Sequence, residues 1–494
     1  MLSQTRGRVE GALPRGHASA AEAVTNRTVI TALALICAIP SARAQDFSAE
    51  ELAHRTTERR AIEAVIWGVP AVNLDLMLQA MISGAKGRPN QIVYWSRLPD
   101  WKNQTLTPNP DVIYLMPFFN TKDAGPMVLE IPPADDGVIN GTVMDAWQVP
   151  LEDVGPAGVD KGQGGKYLIL PPNHSAAAPA GYIALPSPNY QGYALLRSIL
   201  NSGSDADVAK AVAYAKRIKV YPLSQAASPP PTTFHDAIDL VFDSTIPYDL
   251  RFFQSLDRVV QSEPWLPRDK LMIDMLKSIG IEKGKPFSPD AATRDILNAA
   301  AREARALLEV RYEGMFRPYF DISRWALPAM PDYLKAASDG FSDPNAYPVD
   351  NRGVVFTFAF FTPKHQGQGQ SYLMTLKDKD GQNFDGGRSY RLAVPPNAPV
   401  NQYWSATVYD RATHGLIREM PRSGRGSQSP GLQKNADGSV DIYFGPKAPP
   451  GKEANWVPTN PSGQFEVLFR LYGPEKPFVE KTWKLPDIEQ FAAQ

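Results

Sequence analysis

Two blocks of short strand-like runs flank a helical stretch, and this texture constrains the fold more than any other feature. Between about residues 90 and 186 the runs are QIVYW, VIYLMPFF, PMVLEIP, TVMDAWQV, KYLILPP and YIALP. From residue 350 they are GVVFTFAFF, QSYLMTLKD, RSYRLAVP, QYWSATVYD, SVDIYFGP and QFEVLFRLYG. Each is rich in β-branched and aromatic residues and is bounded by turn formers, as expected of a sheet protein with tight connections. With 494 residues, the chain is too long for one ordinary core. The spacing predicts a small antiparallel β-sandwich in the first block and a larger one in the second. KDKDGQ, between two runs of the second block, reads as a hairpin turn.

Helical spacing governs the rest. Residues 48–68 offer Ser48 as N-cap, Glu50 and Glu51 in the first turn, and an apolar stripe at Ala61, Val65 and Ile66. This helix is expected to stop at Gly68, just before Pro70. Three more helices are expected from about 190 to 340. One starts at Ser204 and Asp205. A second opens at Pro247. A third opens at Ser288-Pro289-Asp290 and turns Ile296, Ala300, Leu307 and Val310 inward. The predicted class is therefore a multidomain α and β chain: residues 45–190 as a helix plus an Ig-like β-sandwich, 191–345 helical, and 346–494 a jelly-roll β-sandwich.

The N-terminus reads as an address. Arg27 precedes the apolar run VITALALICAIP, and Ala42-Arg43-Ala44 has the small-x-small pattern of a signal-peptidase site. Cleavage after Ala44 is expected, leaving no stable membrane span and a periplasmic or secreted protein. The single cysteine, Cys37, leaves with residues 1–44. Disulfides, cysteine zinc sites and thiol nucleophiles are then excluded. Removing five Arg and two Glu with that segment takes the formal net charge from −1 to −4, which offers nothing to nucleic acid. His54, His174, His235, His365 and His414 show no metal-ligand spacing, and no Gly-rich loop has phosphate-binding context. Neither metal nor cofactor is expected, and the oligomeric state is left open.

Several motifs together resemble a known bacterial exported family, built from domain of unknown function 1254 followed by domain of unknown function 1214. TPNPDVIY, MDAWQ and KYLILPP carry the first part. GRSYRL, NQYWSATVYD, NWVP and GQFEVLFRLYGPE carry the second. The family more often has Asn or Asp where Pro110 stands, so the turn here is stiffer. The resemblance implies an Ig-like sandwich, a helical region and a jelly roll, and it implies no reaction.

Candidate site residues cluster in these motifs. In TLTPNPDVIY, Pro108 and Pro110 hold Thr107 and Asn109 extended and make a rigid turn that could aim Asn109, Asp111 or Tyr114 at a ligand. Strand alternation separates Asp111 from Tyr114. Asp145 and Trp147 share a face and could form a binding floor. Tyr403, Ser405, Thr407 and Tyr409 line one face of a strand whose other face, Trp404, Ala406 and Val408, is core. Trp95, Asn455 and Trp456 complete the set. The favoured expectation is a small molecule or carbohydrate bound in an interdomain cleft by Trp95, Asn109, Trp147, Tyr403, Tyr409, Asn455 and Trp456. Two rivals stand beside it. One is a metal-independent hydrolase or lyase using Asp111, Asp145 and Tyr114 as acid, base or oxyanion partner. The other is an envelope structural or interaction protein.

Overall fold

The computed structural model describes residues 47–359, 361–365 and 369–491; the expected signal segment lies outside the described residues. The architecture is mixed α and β, with several sheets and a helical middle region.

A six-stranded sheet runs in the order Phe234–Asp236, Ile92–Tyr94, Ile113–Asn120, Gln191–Ser198, Ile139–Asp145, Pro150–Val154. A four-stranded sheet, Lys219–Pro222, Met127–Ile131, Gly165–Leu170, Ile183–Pro186, covers one of its faces. Leu115, Phe119, Val143 and Leu196 meet Leu129, Tyr167 and Ile169 between them. Most neighbours are antiparallel, but Ile92–Tyr94 pairs in parallel with Phe234–Asp236, and Gly165–Leu170 with Ile183–Pro186. Alternation sends Tyr114, Met116 and Phe118 to the opposite face, where they join the helical core. Both faces of this sheet are therefore buried, and its strands read as continuous apolar runs.

The second block builds two four-stranded sheets. One is Gln370–Thr375, Phe465–Pro474, Val400–Asp410, Gly424–Gly426; the other is Trp456–Pro458, Val440–Gly445, Ser389–Val394, Glu489–Phe491. Trp404, Ala406, Val408, Phe469 and Leu471 pack against Leu392, Ile442, Phe444 and Val457, the core face expected for Val400–Asp410. KDKDGQ forms the expected tight turn, with Asp378 Oδ1 accepting the amides of Asp380 and Gln382 and Gly381 at φ +81°.

Three helical expectations need correction. The first helix does not stop at Gly68 but runs through Pro70 as Ala49–Gln79. Proline there removes the hydrogen bond to the Ile66 carbonyl. Gly353 of the neighbouring helix fits against that carbonyl, where a Cβ would sit only 2.7 Å from the oxygen. Burial on all sides from Val65 to Leu74 outweighs the cost of the proline. The stretch Ala49–Gly84 is long and apolar enough to cross a membrane, yet 78% of its most apolar window is buried in the protein's own core.

The third helix, Ala291–Met315, opens at the expected Ser288-Pro289-Asp290, with Asp290 as its N-cap, but has a different phase. Leu297, Ala300, Ala304, Leu308 and Tyr312 are buried, whereas Leu307 is 39% and Val310 74% exposed. Small Ala300 and Ala304 permit close approach to the first helix, Ala49–Gln79, at the centre of the helical packing, and Tyr312 is anchored by Glu466. GVVFTFAFF is not a strand: residues Val349–Thr357 form a helix, with Val354, Val355 and Phe356 buried against the central helix. A short apolar run has no periodicity to separate the two states, so packing decided.

Candidate functional site: a cationic cavity behind the TPNPD turn

The turn at residues 107–111 lies where the two β-regions meet, and its hydrogen bonds reach across. Asn109 is 2% exposed. Its side-chain Oδ1 accepts the Asp111 amide at 2.9 Å, closing the turn, while its Nδ2 donates to Tyr403 Oη at 3.0 Å and Tyr472 Oη at 2.8 Å. Its backbone N–H donates to Tyr114 Oη at 2.8 Å. Tyr409 Oη donates to the Pro108 carbonyl at 2.7 Å. Tyr403 and Tyr472 stack with ring centroids 4.4 Å apart.

Thr107 departs from the extended geometry expected before a proline and stands at φ +40°. A β-branched residue is strained there. Three tertiary bonds hold it. Its amide donates to the His414 carbonyl, its hydroxyl donates to the Phe358 carbonyl, and its own carbonyl accepts from Arg470.

On one side of this turn is a cavity with about 60 Å³ open to the centre of a water-sized molecule. Tyr114, Met116, Met144 and Arg197 of the six-stranded sheet form one wall; Tyr372, Leu468 and Arg470 of the second block form the other. Arg470 is 2% exposed and bonds only neutral groups: Thr407 Oγ1 at 2.9 Å, the carbonyls of Thr107 and Pro108, and Tyr409 Oη. Arg197 makes no ion pair among the described residues; the Tyr114 hydroxyl hydrogen-bonds its side chain, and the Tyr114 ring lies 5.5 Å from the guanidinium carbon. No acidic residue lines the cavity. The Asp153 carboxylate stands behind Thr142, accepting its hydroxyl at 2.7 Å and the amides of Lys364 and His365.

On the other side is a second pocket of about 300 Å³, lined by Asp111, Tyr403, Ser405, Arg422 and Arg425. Burial pushes the Asp111 carboxyl above its usual range, partly offset by Ser405 and Arg470. Asp111 Oδ2 has no hydrogen-bond partner, so Asn109, not Asp111, uses its side chain to close the turn.

The other expected residues lie elsewhere. Asp145 and Trp147 are not adjacent positions on one strand, because the strand ends at Asp145 and a turn follows. Asp145 Oδ1 accepts the amides of Trp147 and Val149. Trp147 packs on Trp67 at 4.4 Å, with the Arg352 guanidinium 5.4 Å from its ring. Both are sealed in and line neither cavity. Burial raises the Asp145 carboxyl, against the pull of Arg268 and Arg352. Trp95 backs Tyr114 edge-on at 6.1 Å. Asn455 ties Gln433 to the Asp441 carbonyl, and Trp456 Nε1 donates to the Gly445 carbonyl, so both hold the far sheet together. Tyr403, Ser405, Thr407 and Tyr409 share a face as alternation requires, but that face is buried rather than solvated.

Arg197, Arg470 and Tyr372 were missed. The signal was present: an arginine interrupts each of two apolar strand runs, YALLRSIL and FEVLFRLY. Alternation could have placed Arg470 with Glu466 and Tyr472 on a single face.

A two-part α and β chain with a closed cationic cavity at the junction of its parts is the class that this geometry defines. Residues 89–222 match the family model described as "Protein of unknown function (DUF1254)", and residues 369–476 match "Protein of unknown function (DUF1214)". The chain thus combines DUF1254 and DUF1214 in that order. Among solved structures it resembles the VPA0106 protein from Vibrio parahaemolyticus, at 17% identity and TM-score 0.53, covering 88% of this chain and 100% of that one. A putative uncharacterized protein from Burkholderia cenocepacia matches at 10% identity and TM-score 0.41, over 89% of this chain and 95% of that one. At 17% identity the likeness to the VPA0106 protein speaks for the fold alone. No curated protein matches.

Proposed function

We propose that this is an exported protein that binds a small molecule in the cavity between its two β-regions. The observation that carries this reading is the cavity itself. It is walled by side chains of both blocks, and one wall includes a strained turn held by hydrogen bonds to Tyr403, Tyr409, Arg470, Tyr472 and the His414 carbonyl of the far block. Strain maintained by tertiary contacts is a mark of functional sites, and pockets favour such junctions. The rival hydrolase or lyase needs Tyr114 beside Asp111 or Asp145; Tyr114 faces the first cavity, Asp111 the second, and Asp145 neither. An envelope-interaction role has no specific observation in its favour. We further take the N-terminal pair of sheets as an Ig-like sandwich and the C-terminal pair as a jelly roll, on strand number and stacking.

The test is a thermal-shift screen of small metabolites against the full chain and Leu195→Phe, which fills the cavity from the sheet side. Compounds that raise the wild-type Tm saturably and leave Leu195→Phe unmoved support the reading. No such compound, or shifts equal in both proteins, would overturn it.

A further inference from the structure

We infer that the ligand of this cavity is a short-chain organic carboxylate, gripped by Arg197 and Arg470; this rests on the binding role proposed above. Two guanidinium groups line one small cavity and no carboxylate answers either. Arginine keeps its proton under all ordinary conditions. Leaving its charge away from water without a partner is costly, whereas pairing it with a hydrogen-bonded anion recovers much of that cost.

The two arginines are not equivalent. Arg470 is already engaged by carbonyl and hydroxyl oxygens of the turn, so it is fixed in place. Arg197 has only the Tyr114 hydroxyl and ring against its guanidinium, and its Nε is sealed from solvent without a partner. No carboxylate occupies its planar fork, which matches two carboxylate oxygens.

Size and lining narrow the class. At about 10–15 Å³ per water-sized centre, the cavity's 60 Å³ admits a molecule of only a few heavy atoms. Met77, Met116, Met144, Leu195 and Leu468 supply an apolar remainder suited to a short alkyl chain. A dianion such as phosphate would leave these groups facing charge. Other acids do not neutralise the site first. Asp111 lines the second pocket instead, and burial shifts it toward its neutral form against the opposing pull of Ser405 and Arg470. Asp153 is engaged by Thr142 and two amides.

The experiment titrates the full chain by calorimetry with acetate, propionate and butyrate, with the matching amides acetamide, propionamide and butyramide, and with inorganic phosphate. Wild type, Arg197→Met and Arg197→Lys are compared, with circular dichroism to check folding. Carboxylates should bind at least tenfold tighter than their amides and than phosphate. Binding should vanish in Arg197→Met and persist, weakened, in Arg197→Lys, which keeps the charge without the fork. Amides binding as well as carboxylates would overturn the anion class while leaving a small-molecule site intact. Phosphate matching the carboxylates would overturn the organic part. If no carboxylate binds wild type, the inference falls, and the metabolite screen against Leu195→Phe decides separately whether the cavity binds anything.

Discussion

Strand Phe465–Pro474 carries two buried charges on one face, four residues apart, and they have opposite situations. Glu466 is fully paired. It accepts Tyr312 Oη at 2.8 Å, sits 2.8 Å from His414 Nδ1, and has Arg411 within 3.9 Å; Arg411 in turn reaches Glu309 at 2.7 Å. Arg470 and its neighbour across the cavity, Arg197, make no ion pair among the described residues, and no carboxylate lines the cavity between them. The difference teaches how to read buried charge. A closed network of both signs ties elements together, whereas unanswered like charges around a void mark a place that a ligand completes.

The largest effect should come from breaking the paired cluster. Glu466→Gln leaves His414 and Arg411 buried with half their compensation, and about 3–5 kcal/mol of stability should be lost, read as a fall in the urea midpoint. A small change would dissolve the contrast between the two clusters.

Next is Asn109→Ala, which removes the turn's closing acceptor and both tyrosine contacts. A loss of about 2–3 kcal/mol is expected from the unmade bonds, together with loss of any cavity ligand.

The paired cluster also sets a pH profile. Burial alone would lower His414, but Glu466 and Glu309 hold it up at about 9, above an ordinary 6.5. Its stabilisation is complete below about 6.5 and disappears as pH rises through about 9. Burial would raise Glu309, yet His414 and Arg411 bring it down to about 2 from an ordinary 4.5. Its contribution is complete above about 4.5 and is lost as pH falls through about 2. Stability from this cluster should therefore be greatest between about pH 4.5 and 6.5, and His414→Gln should remove the alkaline limb. An unchanged alkaline limb in that variant would place the titration elsewhere.

The smallest effect sharpens the contrast most. Arg197→Met in the unliganded protein should be neutral or stabilising by up to about 1–2 kcal/mol, because a half-buried charge without an ion pair is replaced by an apolar chain of similar length. A loss above that range would show that Arg197 has a structural partner and belongs with Glu466 in kind.

Much of the architecture was legible. Pro- and Gly-bounded runs located most strands, because turn chemistry and β-propensity are local. Trp404, Ala406 and Val408 were correctly assigned to the core by alternation. Failures came where distant chain segments decided. Nothing near Pro70 announces that Gly353 will accommodate a freed carbonyl, and nothing in GVVFTFAFF separates helix from strand. For the site, Asn109 was legible as the rigid part of its turn. Its partners Tyr403 and Tyr472 lie 294 and 363 residues away, a distance that local pattern cannot bridge.

By itself, then, the sequence determined the order of the two family segments, the strand faces and the stiffness of TPNPD, since each depends on neighbours along the chain. Only the tertiary structure decided that Asp111 and Tyr114 open onto different cavities, that Asp145 is sealed by its own turn, and that Arg197 and Arg470 line one cavity. These outcomes depend on burial and on long-range pairing, where the energy of a charge is set by what folds around it.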